Sequence, residues 1–259
     1  MRCICSILKQ WGKIATVAIA SKLNLYATEQ LENYIYVDRN RVTDNSPPRM
    51  SVHQPDEFMR LATSVIESGR TLLRFQRLCV IWQAMQNVKH LRLPAAEVGA
   101  YKGGSAYFIA AGFERICGGE LPVHVFDTFH GHPECTSSHF TETHHATGRF
   151  SDTSLEAVRS YLARFEKLVI HPGDFLVTST QLPSMKFGFV HLDADTYVAT
   201  SAGLNYFFPR LACGGVIVLD DFGSGKCGGV IAAYEEFMAG EPPCQVWQPF
   251  TEQCVISKR

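Results

Sequence analysis

From about Leu91 onward the chain alternates short, nearly all-apolar runs with helix-length segments, and this rhythm limits its folds more than any other feature. The runs are Ala95 to Val98, Val123 to Phe126, Leu168 to His171, Phe187 to Leu192 and Gly215 to Leu219. Between them, apolar residues recur at helical spacing over Ser105 to Ile116, Ser154 to Phe165, Val198 to Phe208 and Gly229 to Met238. Strands that are apolar throughout need cover on both faces. The pattern therefore predicts an α/β fold with a mainly parallel sheet between two helical layers. Two last runs, Gln245 to Phe250 and Gln253 to Ser257, predict a closing hairpin. At 259 residues the chain can support one large domain of this kind.

The segment before Leu91 has a different texture. Helical spacing begins near Pro55-Asp56-Glu57, with Phe58, Leu61, Ala62 and Val65, and resumes from about Thr71 to Val88. The first 50 residues are the least readable, apart from the breaker cluster Asp44 to Pro48. We expect residues 1–85 to form an N-terminal helical extension or lid within the same globule, and residues 86–259 to carry the site.

Several functional classes drop out on physical grounds. A net charge of −1 lacks the basic footprint of a nucleic-acid binder. No apolar run approaches the roughly 20 residues needed to span a bilayer. The basic N-terminus carries only a short apolar stretch, Ile14 to Ala20, before Lys22, which is poor for a secretory signal. The nine cysteines are odd in number and scattered, which suits free thiols in a reducing cytoplasm.

The first strand–helix turn, Glu97-Val-Gly-Ala-Tyr-Lys-Gly-Gly-Ser-Ala106, is the first candidate site. Ligands of open α/β sheets bind outside the carboxyl ends of the strands. Gly99 permits a tight turn, Gly103 and Gly104 allow close backbone approach, and free N–H groups at the helix start suit an anionic group. The spacing G-x-x-x-G-G is not the G-x-G-x-x-G of dinucleotide binders, which weighs against a nucleotide-dependent oxidoreductase. Asp127 ends the next strand, where a carboxylate can accept from ribose hydroxyls.

Acids close two further strands: Asp193 follows Leu192, and Asp220-Asp221 follow Leu219. If those strands are neighbours, their ends lie about 4.8 Å apart and the carboxylates converge. Packed carboxylates repel one another, and a hard cation such as Mg²⁺ relieves that repulsion through all-oxygen ligation. Asp195 is a further acid close by. The histidine-rich stretch from His130 to His145 reads as a solvated loop rather than a zinc site. His191, inside a strand, reads as a hydrogen-bonded core histidine, and Trp82 and Trp247 as packing residues.

Taken in order, four motifs resemble the macrocin O-methyltransferase family. They are the glycine loop, Phe126-Asp-Thr-Phe129 with Gly131 and Pro133, Val190-His-Leu-Asp-Ala-Asp-Thr-Tyr197, and Val218-Leu-Asp-Asp-Phe-Gly223. The resemblance covers about residues 70 to 225. It implies a Rossmann-like class I methyltransferase with a mainly parallel seven-stranded sheet, S-adenosylmethionine as methyl donor, and a sugar or polyketide-type natural product as the small-molecule hydroxyl acceptor. It further implies that Tyr101 and Ser105 hold the methionine carboxylate, with Gly99 and Gly103 shaping the loop and Glu97 orienting it. Asp127 would bind the ribose and Asp174 would border the adenine. Asp193, Asp220 and Asp221 would hold Mg²⁺. Relatives are usually oligomeric, so the resemblance also implies a homo-oligomer.

Two positions depart from the family pattern: His130 stands where an acid is usual, and Thr196 where catechol-type enzymes place a lysine base. The proton acceptor is accordingly open among Asp193, Asp195 and His130. A relative that binds the cofactor without turning it over is the other reading.

Overall fold

The computed structural model describes residues 34–37, 50–53, 55–134, 140–141 and 144–259. The chain divides into two compact units, residues 1–59 and 60–259. In the first, strand β1 (Tyr34–Val37) pairs antiparallel with β2 (Met50–His53). This pair falls inside the stretch expected to be helical. Tyr-Ile-Tyr-Val is aromatic and β-branched, a composition that suits a pleated strand. Helix α1 (Asp56–Glu67) spans the join between the units.

The second unit begins well before residue 86 and includes α2 (Phe75–Val88), which packs on the sheet. Its buried face, Leu78, Ile81, Trp82, Met85 and Val88, follows the helical period that marked it in the sequence. Then come β3 (Ala95–Val98), α3 (Gly104–Cys117), β4 (Val123–Asp127), α4 (Leu155–Leu162), β5 (Leu168–Pro172) and the single turn α5 (Phe175–Thr178). They are followed by β6 (Phe187–Leu192), α6 (Tyr197–Arg210), β7 (Leu211–Leu219), α7 (Gly228–Ala239), β8 (Cys244–Trp247) and β9 (Cys254–Lys258).

The sheet order is β5-β4-β3-β6-β7-β9-β8. The first five strands are parallel, while β9 runs antiparallel to β7 and to β8. The strands β3 and β6 are buried along their whole length, as their apolar composition requires. The core joins Phe126, Phe175, Phe187 and Phe207 with Val190, Leu192, Leu204 and Ile217. Trp82 is buried beside Phe108. Trp247, expected to pack, is 43% exposed because β8 is an edge strand whose alternate residues face outward.

Chain direction places the site. From β3 the chain builds outward through β4 and β5, then returns across β3 to add β6 and β7 on the other side. The crevice at that reversal, beyond the carboxyl ends of β3 and β6, is where such sheets bind ligands.

Candidate active site

A cavity of about 310 Å³ opens at this reversal. Among its walls are Gly99, Tyr101 and Ser105 after β3, Asp127 at the end of β4, and Asp174 after β5. Asp193 and Asp195 after β6, Asp221 after β7, and Arg70 to Leu73 ahead of α2 complete this part of the lining.

The glycine loop is built against the strand that carries the acids. Gly99 has φ +89°, and a Cβ there would lie 1.8 Å from the carbonyl oxygen of Asp193. Only glycine fits such an approach. Asp127 fastens the same loop: one carboxylate oxygen accepts from the backbone N–H groups of Ala100 (2.8 Å) and Tyr101 (2.7 Å), the other from that of Phe129 (2.7 Å). Burial raises the Asp127 pKa above the usual carboxylate range, while these three donors pull it back. Asp127 thus lines the cavity and is also the loop's anchor, a role that the motif alone did not reveal.

Tyr101 turns its hydroxyl to Asp152, and Lys102 reaches the same carboxylate at 2.6 Å. Ser105 is buried at the first turn of α3 and faces the cavity. Gly103 takes φ +84° just before α3. One of the expected open N–H groups, that of Gly104, donates to the Arg70 carbonyl at 3.2 Å. Asp174 caps α5 by accepting from Leu176 N–H at 2.9 Å.

Glu97 lies in the sheet rather than in the cavity wall. Its Oε1 accepts from Nδ1 of His191 at 2.9 Å, and Nε2 of His191 lies 3.2 Å from Asp220. His191 is a fully buried histidine between two carboxylates. Burial alone would lower its pKa; the hydrogen bonds to Asp220 and Glu97 outweigh that and push it up to about 10. It is therefore an imidazolium.

The acids do converge, and they arrive with a counter-ion. Arg77 of α2 lies 2.7 Å from Asp220, 2.8 Å from Asp221 and 2.6 Å from Glu252. Asp220 also accepts from Asp221 N–H, His191 and Gln253 Nε2, so its acceptor positions are filled. Burial and the charge of Asp220 hold Asp193 well above the usual carboxylate range, against the pull of His191. Asp195, at φ +59°, is raised well by burial and by its hydrogen bond with Asp221. Burial pushes Asp221 up, but the bond from Asp195 and the charge of Arg77 prevail and leave it low.

Groups with ligand atoms within 4.8 Å of one another include His191, Asp193 and Asp220 in one, and Asp195, Asp221 and Cys227 in another. The three predicted metal ligands are divided between these adjoining groups. In all, six carboxylates (Glu97, Asp193, Asp195, Asp220, Asp221 and Glu252) meet two cationic side chains, Arg77 and His191. That oxygen-rich, acid-rich donor set fits a hard divalent cation. Asp220 can serve as a ligand only if Arg77 withdraws.

The histidine assignment changes. His130 is exposed and lies outside the cavity wall, with its backbone N–H on Thr128 Oγ1 at 3.2 Å. His132, two residues on, lines the cavity and brings Nε2 to 3.4 Å from Asp195. Gly131, between them, takes φ +84°. Sequence reasoning also passed over Arg77, a lone charge in the apolar run of α2, and Gln253, a buried amide.

A seven-stranded sheet with β9 reversed beside β7, and a glycine-loop cavity at the β3/β6 switch point, is the Rossmann-like fold of class I methyltransferases. Residues 22–243 match the macrocin-O-methyltransferase (TylF) family, and the chain belongs to that family. It is an S-adenosylmethionine-dependent O-methyltransferase. A tetracenomycin-type rhamnosyl 4'-O-methyltransferase of Streptomyces olivaceus is 27% identical over 176 residues, covering 64% of this chain and 67% of that protein. The mycinamicin III 3''-O-methyltransferase of Micromonospora griseorubida is 23% identical over 218 residues, covering 80% of this chain and 85% of that one. The O-methyltransferase NovP shares the fold, with a TM-score of 0.65 at 22% identity, covering 73% of this chain and 82% of that one.

Proposed function

We propose that this enzyme transfers the methyl group of S-adenosylmethionine to a hydroxyl on the sugar of a natural product, with Mg²⁺ held at the aspartate cluster. The observation that carries this reading is the seating of the glycine loop directly on Asp193, which sets the cofactor loop against the acid cluster within one cavity. Both curated relatives are named for methylation of a sugar hydroxyl, which supports a glycosyl acceptor here.

Methyl transfer from a sulfonium is an in-line displacement, and the acceptor oxygen must lose its proton. Bound at Asp193, Asp220 and Asp221, Mg²⁺ would stabilise the developing alkoxide by its charge. The remaining work belongs to the chain. The loop from Gly99 to Ser105, held by Asp127, fixes the methionine end of the donor, and Asp174 borders its adenine. The proton goes to Asp195 in its ionised form, a carboxylate on the cavity wall. His132 stands beside it, and Asp193 is the next candidate. Arg70 to Leu73 and the loop from Gly131 to Pro133 wall the acceptor side and limit water.

We also place the enzyme in the cytoplasm, as a homo-oligomer acting on small molecules and without a nucleic-acid or membrane partner. The six described cysteines are free thiols, which suits that compartment. No helix among the described residues is long and apolar enough to cross a membrane. Residues 1–85 are proposed as a lid, although most of residues 1–54 lies outside the described residues.

The test is methyl transfer from labelled S-adenosylmethionine to a panel of glycosylated macrolides and aromatic polyketides, with Mg²⁺ or with a chelator. Label on a sugar oxygen that disappears with the chelator supports the reading. Label transferred equally well with the chelator removes the metal from it.

A further inference from the structure

The chain between β4 and α4 carries two histidines on the cavity wall whose imidazole nitrogens the methyl-transfer chemistry does not use. His132 is held by a pair of backbone hydrogen bonds: its N–H donates to Arg149 and its carbonyl accepts from Gly148, both at 2.9 Å. Gly131 approaches so closely that a Cβ would lie 2.5 Å from the Arg149 carbonyl. His145 is fixed from the other side, with Nε2 3.1 Å from the Lys226 carbonyl. A carbonyl only accepts, so Nε2 carries the hydrogen and the Nδ1 of a neutral ring keeps its lone pair.

These two rings meet Asp195. One ligand atom each from His132, His145 and Asp195 lie within 4.8 Å of one another. The rings stand edge to face, with centroids 5.3 Å apart and planes at 85°. The 3.4 Å between His132 Nε2 and Asp195 Oδ2 is long for a charge-assisted hydrogen bond, which runs at ~2.7–2.9 Å. It matches the edge of a tetrahedron of ligands around an ion with bonds of ~2.1 Å, which is ~3.4 Å. All three side chains are mostly buried, and all line the cavity, so a fourth position would face the acceptor space.

We propose that His132, His145 and Asp195 form a binding site for a borderline divalent transition-metal ion of the zinc type, distinct from the three proposed Mg²⁺ ligands. Two imidazoles and one carboxylate suit Zn²⁺, Co²⁺ or Ni²⁺, whereas Mg²⁺ favours oxygen alone. The site shares no residue with Asp193, Asp220 and Asp221. It does take Asp195, so zinc at this site withdraws the proton acceptor and inhibits methyl transfer. That consequence rests on the function proposed above; the site itself does not.

The test is a Co²⁺ titration of the untagged, chelator-stripped full chain, followed by visible absorption. The expected result is one equivalent bound with intense d–d bands of a low-symmetry, nitrogen-ligated ion. Zn²⁺ displaces it and excess Mg²⁺ does not. His132→Leu and His145→Gln each weaken the site by at least about 100-fold, the upper end of what loss of an outer-shell partner costs. Retained S-adenosylhomocysteine binding in each variant shows that the fold is intact, and if one fails to fold the other decides. Weak octahedral bands only, or bands that persist in a folded variant, would overturn the proposal. Near-ultraviolet thiolate charge transfer lost in Cys227→Ser would move the ion to Asp195, Asp221 and Cys227, and also overturn it. Failure of wild-type S-adenosylhomocysteine binding would count against the proposed function while leaving the cobalt result to stand alone, with circular dichroism then reporting the fold.

Discussion

Arg77 sits in an apolar run of α2, and its guanidinium holds three carboxylates that arrive from β7 and from the turn before β9. Replacing it removes one partner from a largely buried charge cluster, which typically costs about 3–5 kcal/mol. Arg77→Met should therefore lower the denaturant midpoint in the absence of divalent ions. Mg²⁺ should restore more stability to this variant than to the wild type, because the cation then supplies the missing charge. Equal Mg²⁺ effects in the two proteins would show that Arg77 and the ion do not share a place. The strand-end aspartates were legible in the sequence because each closes an apolar run. Arg77 and Gln253 were not, since their partners lie more than 30 residues away and only the folded sheet order brings them together.

Within single elements, local chemistry and the structure agree best where geometry leaves no choice. The loop after β3 needs glycine at position 99 both for its positive φ and for the contact with Asp193. Gly99→Ala should abolish S-adenosylhomocysteine binding and cost at least about 2 kcal/mol in unfolding experiments. Binding as tight as in the wild type would contradict the loop geometry.

The paired strands β4 and β5 carry a second sequence-silent feature, His124 stacked on His171 with ring nitrogens 3.0 Å apart. Burial, with the neighbouring His171, lowers the His124 pKa from 6.5 to about 4. A folded-state pKa below the unfolded one means that the neutral ring favours the fold. Its contribution is present above about pH 6.5 and is lost as the pH falls through about 4. His124→Val should flatten the acid limb of the stability curve by on the order of 3 kcal/mol over that window. An unchanged limb would assign acid sensitivity elsewhere.

His191 on β6 works with the opposite sign. Its folded pKa of about 10 lies above 6.5, so its contribution is full below pH 6.5 and is lost as the pH rises through about 10. In His191→Gln the alkaline limb of stability should be flatter than in the wild type over that range. The sequence marked His191 as a core histidine from its place in an apolar strand, but the two acids that hold it come from neighbouring strands. Their registers, Glu97 beside His191 and Val218 beside His191, are tertiary facts.

At the scale of the whole molecule, the strand and helix rhythm was enough to give the layers, the parallel core and the closing hairpin. The order of strands was not readable from periodicity, because neighbours in the sheet are not neighbours in the chain. The N-terminal segment was the weakest reading, and the strands Tyr34–Val37 and Met50–His53 fall where helix was expected. The histidine loop divides: His130 and His144 are exposed, as its composition suggests, while the fold presses His132 and His145 against Asp195.

One cavity joins the glycine loop to the acid cluster. The most direct measurement is calorimetric titration of the purified chain with S-adenosylmethionine and S-adenosylhomocysteine, each with and without Mg²⁺, and with NAD as control. The predicted result is one site per chain for both methyl-donor compounds, with none for NAD, and loss of binding in Gly99→Ala. Binding of NAD alone, or no binding of either sulfur compound by folded protein, would contradict the account.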